Sequence, residues 1–260
     1  MDVSAATFTG LVDGDDVTVS ATGTFDNKNV GTGKTVTLVE TNAGDDVGNY
    51  SITDQGTTTA NITAKTLTAT ASASNKVYDG NTTATVTLTF TGLVGSETLG
   101  QSVGATFADK NVANAKTVTV NSITLSDGDN GGLADNYTIS TGQTTTANIT
   151  QLSSVTWNGN AGDGLWSSAS NWAGSAIPDQ NNVAAVVIPS AQSVTFDSDT
   201  VGTIGSTIAN SGTLTFDGAT DYTFGQVISG SGALVKTNTN TLTLSATNTY
   251  SGSTTISAGT

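Results

Sequence analysis

A short acidic stretch of this sequence has the residue types that bind a hard metal ion. Asp127, Asp129 and Asp135 lie there among glycines and an asparagine. Carboxylate and carbonyl oxygens in a flexible loop are the ligands that Ca²⁺ prefers, although this spacing differs from that of an EF-hand loop. Two interpretations therefore stay open at this point, a calcium site and a solvated acidic turn.

The tryptophans are the second group of residues that suggests binding. Trp157, Trp166 and Trp172 are all the tryptophan of the chain, and they fall within 16 residues. Exposed indole faces stack on sugar rings, which would make this segment a glycan-binding platform. Large aromatic side chains also close the end of a hydrophobic column that would otherwise meet water. We favour the cap and keep the platform as the alternative.

A lysine and an asparagine suggest a covalent modification. Such a pair can form an intramolecular isopeptide bond, with loss of ammonia, when an acidic side chain lies beside it. Lys110 and Asn136 are the pair to inspect, with Glu97 as the acid. The spacing does not single this pair out, so an ordinary surface lysine is the alternative interpretation.

The residue types that are missing exclude most kinds of catalysis. The sequence has no histidine, cysteine or arginine, so Ser-His-Asp and Cys-His catalysis and ordinary zinc sites are ruled out. Paired carboxylates remain, but lyases that cleave polysaccharides generally use a basic residue to take the proton from the sugar. Residues 152–260 contain Lys236 as their one basic residue. We therefore expect that the protein is not an enzyme.

The charge balance restricts the partners. The chain carries 21 acidic residues against seven lysines, a formal net charge of −14. Phosphate backbones are bound by clustered basic side chains, so this balance excludes nucleic acid as a partner. The longest apolar run, residues 183–188, is far shorter than the roughly 20 residues of a membrane-spanning helix. We therefore expect no membrane insertion.

The chain contains an internal repeat. The phrase TTTANIT stands at residues 57–63 and again at residues 144–150, an offset of 87, while earlier blocks such as residues 28–30 and 110–112 match at an offset of 82. The five extra residues enter a glycine-rich acidic stretch, where a surface loop tolerates them. Met1 aligns with Thr83, so we expect the sequence to begin inside a repeat of a longer protein.

The pattern of apolar residues predicts β-structure throughout. Val86, Leu88 and Phe90 alternate with threonines, a period of two that is typical of a strand with one buried face. Further along, residues 194–197 are followed 20 residues later by residues 214–217, with glycine, serine and asparagine between them. This spacing favours the rungs of a parallel β-solenoid, with a β-sandwich as the alternative.

Several of these blocks resemble known repeat families. Val77-Tyr78-Asp79-Gly80, residues 108–112, Asn136-Tyr137 and residues 144–150 are similar, in this order, to the YDG repeat of large bacterial surface adhesins of the filamentous-haemagglutinin type. The resemblance covers residues 1–150, and the first copy lacks the opening motif. Residues 230–234, 241–245 and 248–252 resemble the autotransporter-associated β-strand repeat, a unit of the right-handed β-helix of exported passenger proteins. The tryptophan-rich segment resembles one that often precedes such helices.

Together these observations predict an all-β protein, elongated overall, with tandem strand-rich repeat units followed by the start of a parallel β-solenoid. We assign residues 1–66 and 67–151 to two YDG-type repeats, residues 152–192 to a tryptophan-rich cap and residues 193–260 to solenoid rungs. The resemblance implies an extracellular or cell-surface location and, through the parent adhesin, contact with host or neighbouring-cell glycans or proteins. A structural stalk is the function we expect, and a glycan- or host-surface-binding module using the tryptophan-rich segment is the alternative.

Overall fold

The computed structural model describes residues 7–197 and 204–260. Within these ranges the regular structure consists of β-strands and four single-turn 3₁₀ helices, Val47–Asn49, Ala134–Asn136, Ala169–Asn171 and Ala173–Ser175. The strands are β1 Thr18–Phe25, β2 Gly31–Ala43, β3 Thr57–Ile62, β4 Lys65–Thr66, β5 Thr68–Ala73, β6 Lys76–Val77, β7 Thr83–Ala84, β8 Val86–Thr91, β9 Leu99–Phe107, β10 Ala113–Asp127, β11 Tyr137–Thr138, β12 Thr144–Thr150, β13 Val155–Thr156, β14 Ala185–Ile188, β15 Ser193–Phe196, β16 Thr207–Asn210, β17 Thr213–Phe216, β18 Tyr222–Phe224, β19 Ile228–Ser229, β20 Ala233–Lys236, β21 Leu242–Leu244 and β22 Thr254–Ile256. The predicted all-β class is confirmed. Among the described residues, no helix has the length and hydropathy needed to cross a membrane.

The described chain divides into two compact units. Unit 1 comprises residues 7–69, 90–102 and 124–140, and unit 2 comprises residues 70–89, 103–123, 141–197 and 204–260. The second repeat thus contributes residues to both units. The boundaries predicted from the sequence, at residues 66, 151 and 192, stay a prediction.

In unit 1 the first repeat folds into an antiparallel sheet in the order β1-β2-β3. β1 alternates threonine or serine with apolar residues, and exposed positions alternate with half-buried ones along most of β1 and all of β3, a pattern that suits a pleated surface with one half-buried face. Val36 is the residue of this sheet that is fully buried, and it pairs with Thr58 of β3. Farther along, β4 pairs in parallel with β11.

The repeated phrase forms a strand in each repeat, β3 in the first and β12 in the second. β3 pairs with β2, and β12 pairs with β10, each in the same antiparallel register and next to a β-bulge at the same position. In the bulge, the N–H of Gly33 donates a hydrogen bond to Asn61 Oδ1 at 2.8 Å, and the N–H of Ala115 donates one to Asn148 Oδ1 at 2.8 Å. The asparagine of the phrase therefore satisfies a backbone N–H that leaves the ladder at the bulge.

Unit 2 contains most of the five-stranded sheet β6-β12-β10-β9-β7, including the larger parts of β9 and β10, and continues into a parallel solenoid. In the described part of the solenoid, strands form three parallel stacks, in the orders β13-β14-β16-β19, β15-β17-β20-β22 and β18-β21. Val194 pairs with Leu214, and Leu214 pairs with Leu234, which confirms the spacing of 20 residues. Each coil places its apolar residues against those of the next coil, so the core is continuous along the stack.

Candidate functional site

The same turn occurs once in each repeat, between two strands of a hairpin. We call residues 28–30 and 110–112 the Lys-Asn-Val turns. Each overlaps an Asx turn: Asn29 N–H donates to Asn27 Oδ1 at 3.0 Å, and Asn111 N–H donates to Asp109 Oδ1 at 2.7 Å. These side-chain bonds fix the backbone locally, so the lysine, the asparagine and the valine N–H of both turns are available for contacts outside the hairpin.

The first turn is held by Asn136, which lies 106 residues after Val30 in the chain. Asn136 Oδ1 accepts a hydrogen bond from the Val30 N–H at 2.8 Å, and Asn136 Nδ2 donates one to Asn29 Oδ1 at 3.1 Å. Lys28 forms an ion pair with Glu97, a buried carboxylate. The Tyr137 hydroxyl donates to the other oxygen of Glu97 at 2.5 Å. We call this arrangement the first junction, and all of it lies in unit 1.

The second turn is held in the same way by residues of the tryptophan-rich segment. Asn182 Oδ1 accepts a hydrogen bond from the Val112 N–H at 2.8 Å, and Asn182 Nδ2 donates one to Asn111 Oδ1 at 3.0 Å. Lys110 Nζ lies 2.7 Å from Asp179 Oδ2. This second junction lies in unit 2, and its receiving residues have no counterpart in the repeat.

A primary amide suits this task because it carries a donor and an acceptor side by side. Asn136 and Asn182 each accept a hydrogen bond from the valine N–H of a turn and donate one to the asparagine side chain of the same turn. Each therefore contacts its turn at two points. We call this pair of bonds the asparagine clamp. Asn182 is only 1% exposed and also donates to Asp179 Oδ1 at 2.6 Å. A buried polar group with several partners is costly to leave unpaired, which makes this clamp specific for its turn.

The charged groups of both junctions favour the paired state. Hydrogen bonds from Lys28 and then Tyr137 hold the pKa of Glu97 below its usual range. Burial raises the pKa of Tyr137, and its bond to Glu97 raises it further. Burial alone would lower the pKa of Lys110, but the bond to Asp179 and the neighbouring charges outweigh burial and raise it.

A second tyrosine supports the acid of the second junction. The hydroxyl of Tyr78, from the opening motif of the second repeat, donates to the backbone oxygen of Ile177 at 3.1 Å and lies 3.3 Å from Asp179 Oδ1. Burial and the charge of Asp179 raise the pKa of this tyrosine. The tyrosine thus belongs to the repeat that supplies the turn, whereas Tyr137 belongs to the repeat that receives it.

The two residues proposed for an isopeptide bond both lie in these junctions, with different partners. The Lys110 ammonium pairs with Asp179, and the Asn136 amide pairs with Asn29 and Val30. Glu97, the proposed acid, pairs with Lys28. The contacts of these residues are therefore accounted for without a covalent bond, and the crosslink stays a prediction.

The acidic loop is held by hydrogen bonds within the chain. Asp127 Oδ1 accepts a bond from the Ala134 N–H at 2.8 Å, and the Asp129 N–H donates to Thr98 Oγ1 at 2.7 Å. Asp135 is exposed in the 3₁₀ helix that precedes Tyr137. Across residues 7–197 and 204–260, no three acidic side chains converge closely enough to hold a metal ion. Calcium binding stays a prediction.

All three tryptophans are buried. Their exposed fractions are 2% for Trp157, 0% for Trp166 and 1% for Trp172. The rings pack edge to face, with centroids 4.9 Å apart for Trp157 and Trp172 and 4.7 Å apart for Trp166 and Trp172. Trp166 also packs on Phe196, the first phenylalanine of the solenoid core, at 5.3 Å. This burial agrees with a cap on the column and leaves no indole face free to stack on a sugar.

The cap also positions the residues that receive the second turn. Trp166 Nε1 donates a hydrogen bond to the Pro178 oxygen at 3.4 Å, next to Asp179. The backbone of Asn182 then joins the solenoid, because its oxygen accepts a bond from the Leu152 N–H at 3.0 Å. Sequence reasoning missed Asp179 and Asn182 because they lie outside the repeat. The signal that points to them is an acid and an amide within the four residues before the apolar run at residues 183–188.

Comparison with known protein families agrees with this architecture. The model of the YDG domain matches residues 1–60 and 63–147, and that of the passenger-associated-transport-repeat matches residues 234–260. No curated protein and no solved structure matches the chain. The two kinds of repeat indicate a passenger region of the autotransporter or adhesin type, and the second kind indicates an exported one. With two matched copies that cover more than half of its length, the chain belongs to the YDG domain family.

Proposed function

We propose that this chain is a structural stalk segment of an exported bacterial surface adhesin and holds adhesive regions away from the cell. One observation carries the proposal: the asparagine clamp recurs at both junctions, although the receiving residues belong to different kinds of module. A segment that only linked two domains would need no specific contact at the joint, because flexible linkers are sufficient for tethering.

The clamp gives a physical reason for stiffness at the joints. Each neutral hydrogen bond contributes about 0.5–1.5 kcal/mol, and bonds to charged groups contribute more. At each junction two hydrogen bonds between the receiving asparagine and the turn cross the joint, and one ion pair adds to them, Lys28–Glu97 at the first junction and Lys110–Asp179 at the second. Cooperating contacts of this number oppose independent motion of neighbouring modules.

The surface chemistry also suits a protein that stands in many copies on a cell. The net charge of −14 makes neighbouring copies repel each other. The exposed positions of the strands are mostly threonine, serine and asparagine, which discourages association through the sheet faces. We place the protein outside the cell, at the bacterial surface or in the secreted fraction, and assign no catalytic step to it.

The partners follow from this role. The parent adhesin contacts glycans or proteins of a host or of neighbouring cells through other regions, and the present chain sets the distance. Nucleic acid and membrane insertion have no part in the proposal. A binding role for Trp157, Trp166 and Trp172 has no support from their burial.

A reach experiment tests the stalk. The chain is displayed on bacteria between an outer-membrane anchor and an epitope, and a matched control replaces it with a Gly/Ser linker of 260 residues. We expect antibody-coated beads to capture cells with the chain through a thicker polysaccharide capsule than cells with the linker. Equal capture by the two would contradict a stalk.

A variant and a binding panel complete the test. Substitution of both Asn136 and Asn182 by alanine should reduce the reach toward that of the linker. The purified chain is also applied to glycan and host-matrix arrays with and without calcium. Saturable binding to one array ligand would favour a recognition module over a stalk.

A further inference from the structure

The first repeat contains an acid, an asparagine and a tyrosine at the positions that form the first junction in the second repeat. We call these three residues the receiving half of a junction. The offsets of the repeat align Asp15 with Glu97, Asn49 with Asn136 and Tyr50 with Tyr137. In the first repeat the Tyr50 hydroxyl donates to Asp15 Oδ2 at 2.5 Å and accepts the Val12 N–H at 3.0 Å. In the second repeat Tyr137 makes the same two bonds, to Glu97 at 2.5 Å and from the Val94 N–H at 3.1 Å.

Asn49, the asparagine of this receiving half, binds neither Lys-Asn-Val turn of the chain. Asn49 ends a 3₁₀ helix as Asn136 does, but it is exposed whereas Asn136 is half-buried. Within residues 7–197 and 204–260, the Asn49 side chain makes no hydrogen bond, although its counterpart makes two. Both Lys-Asn-Val turns of this chain are already held, by Asn136 and by Asn182.

A groove beside Tyr50 points to the same missing contact. In the second repeat the equivalent position is filled by the segment that leaves the first repeat, residues 65–67, which we call the exit segment. It pairs with Tyr137 and Thr138, and the Leu67 N–H donates to the Thr138 oxygen at 2.8 Å. Leu67 is 3% exposed.

The environment of two equivalent glycines shows the difference directly. A Cβ atom placed on Gly92 would lie 3.5 Å from Leu67 Cδ2. A Cβ atom placed on Gly10 would have no atom of the described chain within 4 Å. The groove next to Gly10 is lined by Phe8, Leu11, Tyr50 and Ile52, and Leu11 is exposed.

We infer that Asp15, Asn49 and this groove form a docking surface for another YDG repeat. That repeat places the lysine of its Lys-Asn-Val turn beside Asp15, the turn backbone on Asn49 and its exit segment in the groove. The charges match, since an acid faces a lysine at both junctions already formed in this chain. The inference concerns how repeats dock on each other. If it fails, the stalk proposal is unaffected, because the reach experiment tests that proposal separately.

The test adds one repeat to the whole chain. A copy of residues 64–150 followed by a copy of residues 64–82 is placed before residue 1, which reproduces the sequence by which the first repeat enters the second. Amide hydrogen exchange is measured at the added copy of Val112, the valine of the new turn. We expect this amide to be protected as the Val30 amide is, and Asn49→Ala to reduce its protection about tenfold through the loss of two hydrogen bonds.

The unextended chain provides the matched control. There Asn49→Ala should shift the melting temperature by about 1 °C or less, as is usual for an exposed position without contacts. Asn136→Ala serves as the positive control, because it should expose the Val30 amide in both chains. An added turn whose amide is unprotected, or is protected to the same extent in the Asn49→Ala variant, would overturn the inference.

Sedimentation velocity of the unextended chain tests whether a second copy of this chain binds the docking surface instead. We expect a monomer at all concentrations, because the turns of a second copy are already engaged. A dimer that Asn49→Ala dissociates would assign the surface to a second copy of this chain and would contradict docking of a further repeat.

Discussion

At the first junction the receiving asparagine, Asn136, comes from a YDG repeat, whereas at the second junction Asn182 comes from the tryptophan-rich segment. The backbone around them differs as well. Asn136 ends a 3₁₀ helix, and Asn182 lies in a loop between Pro178 and the solenoid. The distances from the two amides to the turns nevertheless agree within 0.1 Å. The turn thus sets the chemistry of its receiver, and the fold behind the receiver is free to change.

The two junctions also differ in their support. Asn182 is almost fully buried and has Asp179 as a further partner, while Asn136 is half-buried and bonds the turn alone. The segment that carries Asn182 packs with the buried tryptophans of the cap. The first repeat, which supplies the first turn, is a sheet whose one fully buried side chain is Val36. We therefore expect the second junction to be the more stable of the two. Three predictions concern the two junctions, and a fourth compares the bulges of the two repeats.

Removal of the cap should have the largest effect. Trp166→Ala deletes a buried indole and its bond to the Pro178 oxygen, so the free energy of unfolding of unit 2 should fall by about 3–5 kcal/mol. Chemical denaturation followed by the fluorescence of Trp157 and Trp172 measures it. The Val112 amide should lose protection while the Val30 amide keeps it. Equal loss at both valines would show that the junctions do not differ in support.

Trp166→Phe is the control for the cap. It keeps an aromatic ring in the column but removes the indole N–H, so the loss should be smaller than that of Trp166→Ala. If the alanine variant were as stable as the unsubstituted protein, the Trp166 indole would not stabilise unit 2 as proposed.

Removal of each receiving amide should separate the two junctions. Asn182→Ala should lower the free energy of unfolding by about 2–3 kcal/mol and Asn136→Ala by about 1–2 kcal/mol, because a buried amide with more partners leaves more groups unpaired. Denaturation of each variant, with circular dichroism and tryptophan fluorescence as separate probes, gives both values. A larger loss for Asn136→Ala would reverse the comparison.

Acid should weaken the first junction. The pKa of Glu97 is lower in the folded protein than its ordinary value of 4.5. This carboxylate therefore stabilises the fold above pH 4.5, and that contribution is lost as the pH falls below 4.5 through the folded pKa. Hydrogen exchange at the Val30 amide should accelerate in that range beyond its intrinsic pH dependence.

Glu97→Gln should remove this acid sensitivity, and Glu40→Gln, in β2 and outside the junction, should leave it in place. The same acid sensitivity in the Glu97 variant would assign the effect to other carboxylates.

The smallest effect concerns the bulges of the two repeats. Gly33 and Ala115 occupy equivalent positions with φ of 61° and 50°, in the left-handed region that favours glycine. Ala115→Gly should relieve strain at the cost of backbone entropy and raise the stability by about 1 kcal/mol or less, while Gly33→Ala should lower it by a similar amount. Thermal unfolding of both variants measures the pair. A reversal of both signs would indicate that the bulge tolerates the left-handed alanine.

Much of the fold could be predicted from local patterns. The phrase at residues 57–63 and 144–150 predicts a strand in each repeat, and the spacing between Val194 and Leu214 predicts the solenoid register. Both signals depend on periods that a chain must keep in order to stack. The burial of the tryptophans was likewise expected from their size and their place before the first rung.

The junctions could not be predicted in the same way. Val30 and Asn136 are 106 residues apart, and Val112 and Asn182 are 70 apart, with no period that relates them. The sequence suggests Lys110 and Asn136 as partners of each other. In the structure Lys110 pairs with Asp179, and Asn136 bonds the first turn. A long-range pair between a loop and a side chain leaves no local pattern, so residue type alone does not identify the partner.

Hydrogen exchange at Val30 and Val112 is the measurement that tests the account most directly. Both amides donate to an asparagine side chain and to no strand partner, so their protection reports the clamp itself. We predict that Asn136→Ala exposes the Val30 amide alone and that Asn182→Ala exposes the Val112 amide alone. Protection that survives both substitutions would contradict the claim that an asparagine clamp holds each junction.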